Sequence, residues 1–195
     1  VLSAATGAYT YTLNNTATAV QTLGGSSSVT ETFSVQVTDG PNTPDAQSLS
    51  FTIQGANEAP SAPTLNISAI DENIAGDTVG TLSSTDAESD SVSYTIADSG
   101  DGGSFEIDGS TLKLKDSVTA DRETKASYTV TVNASDATDT TSQAFTISVG
   151  DVNEAPTLTV PTGGSVTEDA STSTITGSLT SSDPENDTPS YSVVG

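Results

Sequence analysis

The chain has 195 residues, 32% of them hydrophobic, and carries 26 Asp and Glu against four Lys and Arg. It contains no Cys, His, Trp or Met, which excludes imidazole acid–base chemistry, thiol nucleophiles and the usual zinc ligand sets. A net charge of −22 repels nucleic acid and anionic lipid, so cations are the expected partners, and no run nears the roughly 20 apolar residues of a membrane-spanning helix. Solubility or adaptation to salt is the plainer reason for such charge. The abundance of Thr, Ser and Val favours strands. No charged-then-apolar leader opens the sequence, which reads as a piece of something longer.

In chain order, residues 1–58 read as the back half of a β-sandwich copy ending in "FTIQGANEAP" (51–60). Residues 59–152 read as one complete copy, with strands predicted near 64–70, 78–85, 91–97, 104–107, 111–115, 126–135 and 142–149. "SYTVTVNA" is the clearest: Tyr128, Val130 and Val132 point one way, and Thr129, Thr131 and Asn133 the other. "GDGG" (100–103) and "DG" (108–109) are turn signals, and no helical period persists anywhere. Residues 153–195 read as a linker and the front half of a further copy. The repeat supports this division. "FTISVGDVNEAP" (145–156) repeats the end of the first copy, and "GSLTSSDPENDTPSYSV" (177–193) repeats "GTLSSTDAESDSVSYTI" (80–96), at an offset of 96 or 97 residues. The expected fold is all-β: tandem Greek-key sandwiches, one complete and two partial. Pro60 and Pro156 fix their own φ and push the preceding Ala towards extended backbone, so the linkers are short and half stiff.

The acids fall at strand ends. Asp71-Glu72-Asn73, Asp121-Arg122-Glu123 and Asp151-Val152-Asn153-Glu154 belong to one pole of the predicted sandwich. "DAESD" (86–90) and Asp136 belong to the other, beside the incoming Asn57-Glu58. Carboxylates gathered without counterions repel one another, and oxygen donors in this number suit Ca²⁺, with its six to eight flexible ligands, better than Mg²⁺. "DAESD" resembles the start of an EF-hand loop, but Ser91 stands where glycine is needed and Ala97 where the bidentate Glu belongs. Each motif also has a plainer reading. Asp121-Arg122-Glu123 alone is a surface turn with Arg122 paired to an acid, "DAESD" alone a solvated loop, and Asn57 and Asn153 turn residues.

Taken in order, these residues resemble the cadherin domain. Its pattern of Glu-Asn, Asp-Ala-Asp, Asp-Arg-Glu, a strand-closing Asp and Asp-x-Asn-Asp-Asn-x-Pro is met by Glu72-Asn73, Asp86-Ala87-Glu88, Asp121-Arg122-Glu123, Asp136 and Asp151-Val152-Asn153-Glu154-Ala155-Pro156. The flanks, "GAYTYTLN" with "FSVQVTDG" and "VTEDAST" with "SSDPEND", are similar to VCBS or cadherin-like repeats of large bacterial adhesins. The resemblance implies a cadherin/Ig-like sandwich that binds Ca²⁺ between domains. It assigns Glu72, Asp121, Glu123, Asp151, Asn153 and Glu154 to the lower joint, with the Val152 and Ala155 carbonyls and Asp183 and Glu185 of the next copy. It assigns Asn57, Glu58, Asp86, Glu88 and Asp136 to the upper joint. Both linkers carry Glu for the family's second Asp and Ala for its final Asn. In the first copy no Asp-Arg-Glu is present, and Gly55 stands where Asp151 does, so the upper joint is expected to hold fewer ions or bind more weakly.

The function so implied is that of a calcium-rigidified stalk module of a secreted or surface-bound bacterial adhesin, extracellular and not an enzyme. Its partners would be calcium ions, neighbouring repeats and, head to tail through the partial domains, further copies of itself; Asp39 would then join Asp183 and Glu185. Carbohydrate binding or homophilic cell adhesion is the alternative. Sugar stacking usually needs exposed aromatics, whereas most of the nine present fall at alternating strand positions where a core would use them, and Tyr9 and Tyr11 share one face that a core could also take.

Overall fold

The structure is a computed structural model that describes residues 1–38, 45–168 and 174–194. The elements in chain order are α1 (Thr18–Gln21), β1 (Ser28–Val37), β2 (Asp45–Gln54), β3 (Thr64–Leu65), β4 (Ala69–Asp71), β5 (Thr78–Ser83) and β6 (Ser93–Ile96). They continue with a 3₁₀ turn (Gly102–Ser104), β7 (Phe105–Asp108), β8 (Thr111–Leu114), β9 (Ser127–Ser135), β10 (Thr140–Gly150), β11 (Thr157–Thr159) and β12 (Thr180–Ser182). The helix α1 was not predicted. It is a single turn closed by Gln21 N–H to Ala17 O and Thr22 N–H to Thr18 O, too short to leave a 3.6-residue signature.

Alternation builds the central sandwich. In β9, Tyr128, Val130, Val132 and Ala134 are buried while their neighbours face outward. The strands form two four-stranded sheets of order β4-β10-β9-β6 and β3-β5-β8-β7. Ile70, Tyr128, Val130, Val132, Ile147 and Val149 of the first meet Val79, Leu82, Phe105, Leu112 and Leu114 of the second. Phe105 stands edge-on to Tyr128 with ring centroids 5.5 Å apart. Each fully buried Leu or Val contributes roughly 1.5–3 kcal/mol of transfer free energy. The β7–β8 hairpin turns at Gly109, whose φ of +61° suits glycine.

One predicted strand divides. Residues 64–70 form β3 in one sheet and β4 in the other: Leu65 pairs with Leu82, and Ile70 pairs in parallel with Val149. Asn66 makes the switch. Its side-chain oxygen accepts from Thr81 N–H at 2.7 Å, so the side chain replaces the ladder where the backbone turns away.

This switch positions the site. Because β4 and β10 are parallel, Asp71 and Gly150 end side by side at one pole. The loop before β9, carrying Asp121 to Glu123, arrives at the same pole, as Asn73 N–H to Ala120 O records. The loop after β5 and the end of β9 lie at the opposite pole, against the incoming linker.

The segments flanking the central sandwich cover less of their apolar surface. Strands β1 and β2 pair over ten residues. Tyr11 stacks on Phe51 at 4.5 Å between centroids, and Tyr9 meets Phe51 edge-on. The aromatics do cluster as a core would, yet Tyr9 stays 55% and Phe33 46% exposed. Strands β11 and β12 pair over three residues, with Leu158, Leu179 and Tyr191 exposed.

Candidate metal centre

At the lower pole a buried carboxylate organises the rest. Glu72 is 1% exposed and accepts from two backbone N–H groups, Arg122 through Oε2 and Val152 through Oε1, both at 2.7 Å. One residue thus ties its own loop to the pre-β9 loop and to the linker. The Arg122 guanidinium donates to Val149 O at 2.9 Å, and among the described residues it forms no ion pair with an acid. Asp121 Oδ1 caps Thr124 N–H at 2.8 Å, which shapes the loop that presents Glu123.

Two carboxylate triads result. Glu72, Asp121 and Glu123 each bring an oxygen within 4.8 Å of the others, and so do Glu123, Glu154 and Glu185. Glu123 belongs to both, and the second triad draws on the central sandwich, the segment after β10 and the segment after β12. Asn73 donates to Glu154 Oε1, and Glu154 N–H reaches Glu185 Oε1 at 3.3 Å. Glu154 Oε2 and Glu185 Oε2 are buried and make no hydrogen bond among the described residues.

The upper pole repeats part of this. Glu58 N–H reaches Glu88 Oε2 at 3.4 Å, and Asn57 Nδ2 donates to Glu58 O at 3.2 Å, as Asn153 Nδ2 does to Glu154 O at 3.0 Å. The two acidic loops share a fold as well. Asp86 Oδ1 accepts from Asp90 N–H at 3.1 Å and Asp183 Oδ1 from Asp187 N–H at 3.0 Å, with Ser89 and Asn186 both left-handed, at φ 66° and 62°. Asp86 Oδ2 and Glu88 Oε1 are buried without a partner. Asn57 Nδ2 also donates to Asp136 Oδ2 at 3.0 Å and to Asp139 Oδ2 at 2.9 Å.

The first copy contributes glycine where the second contributes acid. Asp39 and Asp136 are 97 residues apart in matching stretches of sequence, and the same offset sets Gly24, Gly25 and Ser26 against Asp121, Arg122 and Glu123. Among the described residues no carboxylate triad forms here; a cleft of about 540 Å³ opens instead, bounded by Gly24, Ser26, Asn57, Glu88 and Asp90. Gly55 is compelled by close approach: a Cβ there would lie 2.1 Å from Leu23 O, so the linker has no room for the side chain that Asp151 carries.

Electrostatics reports the crowding. The Glu154 carboxyl is pushed up to about 7, first by the Glu185 carboxyl beside it and then by burial, while Glu185 is lowered, first by the same pairing with Glu154. Glu88 is raised, first by the Glu58 carboxyl beside it and then by burial. Asp136 is lowered by Asp139 N–H and then by the Asn57 amide. Among the described residues none of the four cations pairs with the acids gathered at either pole. Lys113 pairs with Glu106 and Asp116, Lys125 with Asp101, Lys115 donates to Gly103 O, and Arg122 is spent on Val149 O.

Of the sequence-predicted residues, the structure brings together Glu72, Asp121, Glu123, Glu154 and Glu185 at one pole, and Asn57, Glu58, Glu88 and Asp136 at the other. Asp86 faces inward through Oδ2. Asp183 shapes the loop that presents Glu185, Val152 supplies its N–H to Glu72, and Asp151, Asn153 and Ala155 are exposed around them. Asp39 lies outside the described residues. Asn73 and Asp139 were not singled out as site residues, although each stands in an acidic loop read from the sequence; a left-handed Asn73, φ 65°, is the signal that names it in the structure. All these donors are oxygens, and buried carboxylate oxygens without donors fit a hard divalent cation.

Residues 66–150 match the family model of the cadherin domain. No curated protein matches the sequence. Among solved structures, human protocadherin-24 EC1-2, form II, is similar at TM-score 0.50 and 22% identity, covering 66% of this chain and 62% of that one. Protocadherin gamma B7 extracellular cadherin domains 1–4 is similar at TM-score 0.50 and 17% identity, covering 80% of this chain and 41% of that one. The chain therefore spans less than two thirds of these structures, and the likeness is one of fold: the central unit is a cadherin-like β-sandwich.

Proposed function

We propose that this chain is a calcium-stiffened extender module from the stalk of a secreted or surface-bound bacterial adhesin, with Ca²⁺ shared between domains at each joint. The observation that carries the reading is the set of four buried carboxylate oxygens without hydrogen-bond partners, two per joint, at Asp86, Glu88, Glu154 and Glu185. The lower ions would be held by Glu72, Asp121, Glu123, Glu154 and Glu185, helped by Asp151, Asn153, Asp183 and the Val152 and Ala155 carbonyls. The upper would be held by Asn57, Glu58, Asp86, Glu88 and Asp136. Calcium there neutralises the crowding and links consecutive domains, so bending a joint must break coordination. A site of Kd about 10⁻⁵ M in about 10⁻³ M calcium stabilises the bound form by about 2.7 kcal/mol. Bacterial origin and the stalk role rest on the repeat pattern of the flanks. The test is thermal melting of the chain with and without 1 mM calcium: a rise on the order of 10 °C is expected, and an unchanged midpoint overturns the reading.

The half-exposed faces support a second element of the proposal. Phe33 in β1 lies 97 residues before Val130, which is fully buried, and Leu179 lies 97 residues after Leu82, 3% exposed in the complete copy. Each partial face matches the half-sandwich that the other would provide, so the head of one copy pairs with the tail of the next. Sedimentation equilibrium is expected to give a mass that rises with concentration; a fixed monomer mass argues against it.

A further inference from the structure

The linkers of this chain carry glutamate where the pattern they resemble carries aspartate. Glu154 has one more methylene and one more rotatable bond, and an acid of that length aimed into a shared site must be held. Its two oxygens have different environments. Oε1 accepts from the Asn73 side-chain amide, and Oε2 is buried with no donor, in the triad with Glu123 and Glu185. Asn73 is itself fixed. Its backbone is left-handed at φ 65°, a region Asn tolerates, and its N–H donates to Ala120 O at 3.0 Å, one residue before Asp121.

Resting on calcium at the lower joint, we propose that Asn73 is a positioning residue that lets a linker glutamate serve there: its amide occupies Oε1 and leaves Oε2 free to face the ion. A carboxylate oxygen that accepts a neutral amide keeps its negative charge, so the clamp orients the ligand without neutralising it. An aspartate at 73 would set a second negative charge against Oε1, whereas glycine keeps the left-handed backbone and deletes only the clamp.

The experiment is a calcium titration of the full chain by competition with a chelating dye, with the lower-joint transition defined as the one that Glu123→Ala removes. Asn73→Gly is expected to weaken that transition about tenfold, the effect of removing a group that orients a metal ligand. The melting midpoint of the calcium-free chain is expected to hold. In a Glu154→Asp background, whose shorter side chain no longer reaches the amide, the further loss from Asn73→Gly is expected to fall below about twofold. An equal loss in both backgrounds, or none in the wild-type background, overturns the proposal while leaving calcium at the joint intact. If wild type has no transition that Glu123→Ala removes, the joint reading fails and the proposal with it.

Discussion

The upper and lower joints are built from the same linker and the same acidic loop, and they part company over what the preceding copy supplies. At the lower joint that copy sends Glu72, Asp121 and Glu123, and two triads close around Glu123. At the upper joint the equivalent loop is Gly24-Gly25-Ser26, and a cleft takes the place of the carboxylates. Gly55 sits so close to Leu23 O that no side chain fits. The half of each joint contributed by the following copy is conserved within the molecule down to individual hydrogen bonds; the half contributed by the preceding copy is not. On the proposed calcium reading, stiffness in such a chain would be set joint by joint, by editing one loop without touching the linker.

The largest expected effect comes from the residue common to both triads. Glu123→Ala is expected to weaken lower-joint calcium binding about 100-fold, equivalent to about 2.7 kcal/mol, and to leave the upper joint unchanged. Asp86→Ala is expected to cost its own joint less, because fewer ligands stand there to be disrupted. Calorimetric titration of both variants checks the order, and equal losses would erase the distinction between the joints. Glu72→Ala is expected to lower the melting midpoint even without calcium, since it removes the acceptor of the part-buried N–H groups of Arg122 and Val152, at about 0.5–1.5 kcal/mol each. A melting scan in chelator reads this directly, and an unchanged midpoint would remove Glu72 as the organiser of that pole.

The contrast can also be narrowed by design. A Cβ at Gly24 would meet Glu88 Cγ at 3.5 Å, an ordinary contact, so Gly24→Asp is sterically allowed and brings a carboxylate towards Glu88. It is expected to strengthen the upper joint by about three- to tenfold, as one added charged ligand would. Titration that finds no gain, or a loss, would mean that the glycine loop does not limit calcium binding at the upper joint.

Acidity gives the smallest effect, with opposite signs in the two states. The Glu154 carboxyl lies at about 7 in the folded chain against an ordinary 4.5, so its contribution without calcium is fully present below about 4.5 and is lost as pH rises through about 7. With calcium the ion needs the deprotonated carboxylate, and stability rises over the same window. Melting midpoints of metal-stripped and calcium-loaded protein from pH 5 to 8 are expected to converge on the acid side. Parallel curves would mean that proton and calcium do not share the site.

Much of this architecture is legible from the residues. Alternation in Ser127–Ser135 marks the buried Tyr128, Val130 and Val132, and acids at strand ends fall at the poles where the strands deliver them. The division of residues 64–70 into β3 and β4 is not legible, because it depends on Asn66 replacing a ladder hydrogen bond across to Thr81. Gly24-Gly25 is visible as a departure from the repeat, but the constraint on Gly55 depends on a backbone approach from 32 residues earlier in sequence. Asn73 and Asp139 escape for the same reason: each acts through a partner about 80 residues away, Glu154 and Asn57.

The most direct test is the maximum dimension of the chain by small-angle X-ray scattering across a calcium titration. Coordination shared across the joints predicts a longer, narrower distance distribution as calcium reaches the millimolar range, reversed by chelator and diminished in Glu123→Ala. An identical distribution with and without the ion would contradict the account and leave an acidic tandem sandwich whose carboxylates serve only its solubility.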